Sequence, residues 1–194
     1  MMNKSKEMKN PLILFVVVFV FGFSFSTYAQ TYITRSGKIS FFSKAPVENI
    51  EAHNNEVTSI LNTATGEIAF NALIKSFKFK KALMEEHFNE NYMESNTFPK
   101  GTFKGNITDA GKINFTKDGT YNVTVKGDLT IHGVTKNIEV PGTITVSQGN
   151  ISAGSKFNVR VKDYNIKIPS TVVNNIAETI SISIDCKYEP YKKG

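Results

Sequence analysis

Ile180-Ser181-Ile182-Ser183-Ile184-Asp185-Cys186-Lys187-Tyr188 alternates apolar with polar residues without a break. Successive side chains of a strand point to opposite faces, so this stretch reads as one β-strand with one face in a core and the other in water. The same period recurs upstream. Ile68, Phe70, Ala72 and Ile74 form one set, Tyr121, Val123 and Val125 another, and Leu129 with Ile131, Ile144 with Val146, and Phe157, Val159 and Val161 continue it. Thr65-Gly66, Asp109-Ala110-Gly111, Asp118-Gly119, Pro141-Gly142 and Gln148-Gly149-Asn150 supply the turn chemistry expected between them. Strands spaced by about 8 to 12 residues mean an all-β sandwich or barrel, and periodicity does not separate the two.

One segment breaks the rhythm. Leu83, Met84, His87, Phe88, Asn91 and Tyr92 lie at helical spacing, which predicts a helix of about four turns over 80–95, closed by Phe98-Pro99. A weaker helical turn is expected over 170–178.

The first 29 residues read as an export signal. Lys4, Lys6 and Lys9 precede the apolar run Leu12 to Phe25, and Thr27-Tyr28-Ala29 places small residues at the −3 and −1 positions. The apolar run is shorter than the roughly 20 residues a bilayer span needs. With no cysteine near the cleavage site to carry an acyl group, a free periplasmic or secreted protein of residues 30–194 is expected, forming one domain. The single cysteine, Cys186, excludes an intrachain disulfide. Removing the signal lowers the net charge from +6 to about +4, and the excess is scattered. No basic stripe with interleaved aromatics points to nucleic acid; at most a peripheral attraction to anionic headgroups is expected.

Catalytic chemistry is sparse. The three histidines are His53, His87 and His132. His87-x-x-Glu90 would put two ligand types on one helix face, but nothing supplies further ligands at metal spacing, and a partly exposed acidic helix face is the better reading. There is no Gly-x-Ser-x-Gly elbow, and Cys186 belongs to the inward set of its strand, where a thiol is inert. Neither an enzyme nor a metal or cofactor site is expected.

The block Gly127-Asp128-Leu129-Thr130-Ile131-His132-Gly133-Val134-Thr135-Lys136 resembles the hallmark of the YceI-like family of exported polyisoprenoid-binding proteins, a strand running into a tight turn and the next strand. Phe98-Pro99-Lys100-Gly101-Thr102-Phe103 is similar to that family's entry into a central strand. Phe157 to Ile168 is similar to its late basic, aspartate-aromatic segment, with Arg160, Asp163 and Tyr164 in register. Where the family carries Asp-x-x-His-Ser near its start, this chain reads Arg35-Ser36-Gly37-Lys38.

The resemblance implies a lipocalin-like antiparallel barrel of eight strands with an isoprenoid tail, of prenyl quinone or polyprenyl phosphate type, in its lumen. Eight-stranded barrels can hold one slender ligand. On that basis Phe70, Phe103, Phe115, Leu129, Ile131, Phe157 and Ile182 are expected to line the lumen. Phe88 and Tyr92 are expected to cover one mouth, and Arg160 to meet a head group. His132 reads as a turn or strand-end residue. The expected function is to carry or sequester an isoprenoid-like amphipathic lipid, with a homodimer as the expected assembly. The alternative is a non-enzymatic envelope stress or interaction module whose barrel is filled by its own side chains.

Overall fold

The computed structural model describes residues 31–172 and 174–191, so the export signal read at 1–29 lies outside the described residues. Nine strands follow in order: β1 Thr31–Lys44, β2 Asn49–Asn62, β3 Glu67–Leu73, β4 Lys78–Phe79, β5 Lys100–Ile107, β6 Gly119–Ile131, β7 Val134–Ser147, β8 Asn150–Arg160 and β9 Thr179–Pro190. The described strands pair antiparallel in the order β1-β9-β8-β7-β6-β5-β3-β2, and β2 returns to β1. That closes a barrel of eight strands, with the two-residue β4 added beside β2. Closure pairs the long strands on both flanks, although Val134–Pro141 of β7 is paired with β6 alone and has no partner on β8.

β1 and β2 carry paired irregularities that hide their pattern in the sequence. Tyr32 and Thr34 are buried, the register slips between Thr34 and Gly37, and the inward set resumes at Gly37. On β2, Ala52 and Asn54 are buried, then Val57, Ser59 and Leu61. An extra residue in a strand flips every later side chain to the other face. Asn54 stabilises the irregularity: its Nδ2 donates to the Leu73 carbonyl at 2.9 Å, and its Oδ1 accepts from the Glu56 amide at 2.9 Å. The divergent Arg35-Ser36-Gly37-Lys38 is this bulge, and a Cβ on Gly37 would stand 2.7 Å from the Cys186 Sγ.

Two expectations of local structure are corrected. Pro141-Gly142 is not a turn: both residues continue β7, paired with Thr124 and Val123 of β6. β7 pairs with β8 only from Gly142 onward, so Pro141 stands where its missing N–H costs no ladder bond. The helix is also shorter than predicted. Helix α1 covers Ala82–His87 and passes into a π-helical turn, Phe88–Tyr92, closed by Glu94 in a left-handed conformation. The weaker turn over 170–178 is a short 3-10 element at Ser170–Val172.

The two ends of the barrel differ. Strand directions put the β1–β2 hairpin, the 74–99 excursion, the β6–β7 turn and the 161–178 excursion at one end, called upper here. The lower end holds short turns and the 108–118 loop. There Tyr32, Leu61, Ile107, Ile113, Ile144, Ile151, Cys186 and Tyr188 pack into a solid core. Ser59 donates to the Ala69 carbonyl at 2.8 Å and receives the Tyr188 hydroxyl at 2.7 Å, so the polar atoms in this plug are partnered.

Candidate functional site

Above the plug the barrel is hollow. A cavity of about 540 Å³ runs up to the upper end, a size typical of small-molecule sites. Its wall is the inward set of nearly every strand: Ile39 and Phe41 from β1, Phe70 and Ala72 from β3, Leu129 and Ile131 from β6, Ile138 and Val140 from β7, Phe157 and Val159 from β8, and Ile180, Ile182 and Ile184 from β9. Many of these side chains are only half-buried although they point inward. Their neighbours toward the axis are missing. In a solid barrel the same positions would be closed off, as Leu61 and Ile151 are below.

The cover is aromatic. Phe88, at the junction of α1 and the π turn, stacks on Phe41 with ring centroids 5.4 Å apart and meets Phe79 at 5.0 Å and Phe77 at 5.8 Å. Tyr92 and Met93 of the same segment also face the cavity. Lys78 Nζ bonds Glu85 Oε1 at 2.7 Å and the Phe79 amide donates to Glu85 Oε2 at 3.3 Å, tying α1 to β4. The Lys78 hydrogen bond holds the Glu85 carboxyl below its ordinary value. On the far rim, the Val47 amide donates to the Asn174 carbonyl at 3.2 Å and the Ala177 amide to Ser43 Oγ at 2.9 Å, fastening the 161–178 excursion to the β1–β2 hairpin.

Charge is confined to the mouth. Among the described lining residues, the acidic, basic and imidazole side chains are Glu48, Lys81 and His87, and Glu48 pairs with Lys81 across the rim. Leu83 beside them is 61% exposed and Val47 on the facing hairpin is 66% exposed. No cluster of three or more metal-ligating side chains occurs among the described residues.

The structure brings eight of the sequence-predicted residues together on this wall: Phe70, Phe88, Tyr92, Phe103, Leu129, Ile131, Phe157 and Ile182. Two lie elsewhere. Phe115 belongs to the 108–118 loop and packs under the plug, because the segment before β6 is not a strand and its aromatic closes the lower end. Arg160 has the outward parity of β8, between inward Val159 and Val161, and its Nε bonds Asp163 Oδ2 at 2.9 Å on the outside. Phe41, Phe77 and Phe79 also line the cavity, beyond the residues expected from the sequence. Phe77-Lys78-Phe79 does alternate, but only two residues of it form a strand, too short for period alone to mark.

The Gly127–Lys136 block forms the β6–β7 hairpin. Leu129 and Ile131 face the cavity, and His132 and Gly133 turn the chain with φ of 49° and 72°. That is the pattern of a tight two-residue hairpin. His132 Nδ1 donates to the Tyr164 carbonyl at 3.2 Å and its ring meets Phe98 edge-on at 4.5 Å, so the turn anchors both excursions. His132 is thus a structural turn residue.

Comparison with known proteins follows the same line. The model of the YceI-like domain matches residues 22–188. No curated protein matches the chain. Among solved structures, a polyisoprenoid binding domain from Saccharophagus degradans, implicated in plant cell wall breakdown, is similar with a TM-score of 0.73 at 14% identity, covering 84% of this chain and 99% of that one. Burkholderia cenocepacia BcnA gives 0.66 at 18% identity, covering 79% and 96%. The Campylobacter jejuni YCEI protein gives 0.60 at 16%, covering 76% and 88%. At these identities the likeness is one of fold.

Proposed function

Because the chain belongs to the YceI-like family, we propose that it binds an isoprenoid-like amphipathic lipid and carries or sequesters it, with the apolar tail in the lumen and the head group at the mouth. The supporting observation is the cavity: apolar side chains from nearly every strand surround about 540 Å³ of unfilled space, and charge occurs only where the cavity meets solvent. Each methylene moved from water into such a lumen is worth about 0.8 kcal/mol. The alternative of a barrel filled by its own side chains describes the lower half alone. The Saccharophagus degradans neighbour, a polyisoprenoid binding domain, supports the choice of lipid class. Family and neighbours favour binding over catalysis. Export of the chain to the periplasm or medium, with cleavage after Ala29, is part of the same proposal.

Native mass spectrometry of the exported protein tests it. The expected result is a mature chain starting at Gln30 with a bound species of several hundred daltons that organic solvent removes. A clean apo mass from cells that make prenyl lipids would overturn the carrier role. The same spectrum reads the expected dimer.

A further inference from the structure

Two neighbouring strands separate at the height of the cavity. β7 pairs with β8 only over 142–147, opposite 150–155. Above that stretch, 134–141 of β7 is held by β6 alone and 156–160 of β8 by β9 alone. Ser155 Oγ donates to the Pro141 carbonyl at 2.6 Å and closes the lower corner of the split. Ile138 and Val140 on one flank and Phe157 and Val159 on the other line the cavity, so the split borders the lumen itself. We infer that this split is a side entrance for the apolar tail, barred in the closed form by residues 161–168. The inference rests on the carrier reading and adds a route to it.

Residues 161–168 cross from the top of β8 to the β6–β7 turn. Val161, Tyr164, Ile166 and Ile168 line the cavity, and Tyr164 is buried. On the β9 side the Val161 amide donates to the Glu178 carbonyl at 3.0 Å. On the other side, the tertiary hydrogen bond among the described residues runs from His132 Nδ1 to the Tyr164 carbonyl, at 3.2 Å. The bar is thus tied by backbone at one end and by a single imidazole at the other. Parting β6 from β7, or β8 from β9, would break a ladder of backbone bonds. Swinging the bar outward breaks the His132 bond and no ladder.

With the bar out, mouth and split form one slot that follows β7 from Val134 to Pro141, roughly 23 Å along the strand. A tail then enters sideways along its length instead of threading beneath Phe88 and Tyr92. Its head group stays in water throughout, where no polar atom has to be buried unpartnered.

Stapling the split tests this. Glu139 and Asn158 are exposed and, by the register of Gly142 with Ser155, face each other across it. The exported protein carrying Glu139→Cys and Asn158→Cys is joined by bis-methanethiosulfonate linkers of graded span, which a reductant removes. Cys186 is buried and takes no linker. The control staple joins Asp128→Cys to Asn137→Cys, a couple within the intact β6–β7 ladder. The readout is stopped-flow uptake and release of a farnesyl chain with a dansyl head. The staple across the split should slow both rates about tenfold or more, leave Kd within about twofold, and be reversed by reductant. Unchanged rates, or equal slowing by the control staple, overturn the side entrance and leave the carrier role intact. Failure of the probe to bind the unmodified protein removes both. Where the double variant does not fold, amide exchange in the native chain decides: 161–168 should exchange faster than 82–92, and the reverse order overturns the inference.

Discussion

Gly105, Gly127 and Cys186 are closely packed residues. A Cβ at Gly105 would stand 2.3 Å from the Lys126 carbonyl oxygen and one at Gly127 would stand 2.4 Å from that of Lys104, both rigid backbone. Gly105→Val is expected to lower stability by about 1–3 kcal/mol or more in urea denaturation, since overpacking here has nowhere to relax. Cys186 is fully buried, and burial pushes its thiol up to about 12. The unfolded chain loses that proton near the ordinary thiol value, so between about pH 9 and 12 it binds fewer protons than the native one and stability falls as pH rises. Cys186→Ala should flatten this alkaline loss by about 2 kcal/mol between pH 8 and 10.5, measured as unfolding free energy at each pH relative to the native chain. Burial raises Tyr188 in the same direction, so the variant keeps part of the slope. The inward place of Cys186 is legible from its strand's alternation. So is the outward place of Arg160, whose parity opposes Phe157 and Val159 and whose guanidinium bonds Asp163.

At the scale of elements, the α1 and π-turn segment is a cover tied to β4 through Glu85 and seated on the aromatic cluster by Phe88. Phe88 touches Phe41, Phe77 and Phe79, while no residue of α1 itself is fully buried. Phe88→Ala should leave the barrel intact and loosen the cover. The expected readout is faster amide exchange across 82–92 with unchanged exchange in β6 and β7; equal exchange in both forms would contradict it. The β6–β7 hairpin makes the converse point. A Cβ on Gly133 would stand 2.6 Å from the Phe98 ring in a left-handed conformation, so Gly133→Ala is expected to cost about 1 kcal/mol or more, read as a lower melting temperature. Regular strands such as β6, β8 and β9 are plain in the sequence because each keeps one parity. β1 and β2 are not, because their paired bulges reverse parity midway. Pro141-Gly142 reads as a turn by composition but lies within β7 at the point where its pairing with β8 begins, a fact of topology that no dipeptide records.

For the whole molecule, period-two patterning leaves sandwich and barrel equivalent, and it is the β1–β2 pairing that closes the sheet. Nor does alternation distinguish a filled interior from a hollow one, because an apolar inward face serves both. The difference arises from which residues fill the interior: Tyr32, Tyr188 and the 108–118 loop close the lower end, and the inward side chains above them leave about 540 Å³ unfilled. The account depends on that hollow being a place for a tail. Electron density from crystals of the exported protein, purified without added lipid, tests it most directly. The account predicts continuous elongated density from above the lower plug past Phe88 to the Glu48–Lys81 rim. A lumen closed by inward-shifted side chains, or holding only ordered water, would contradict it.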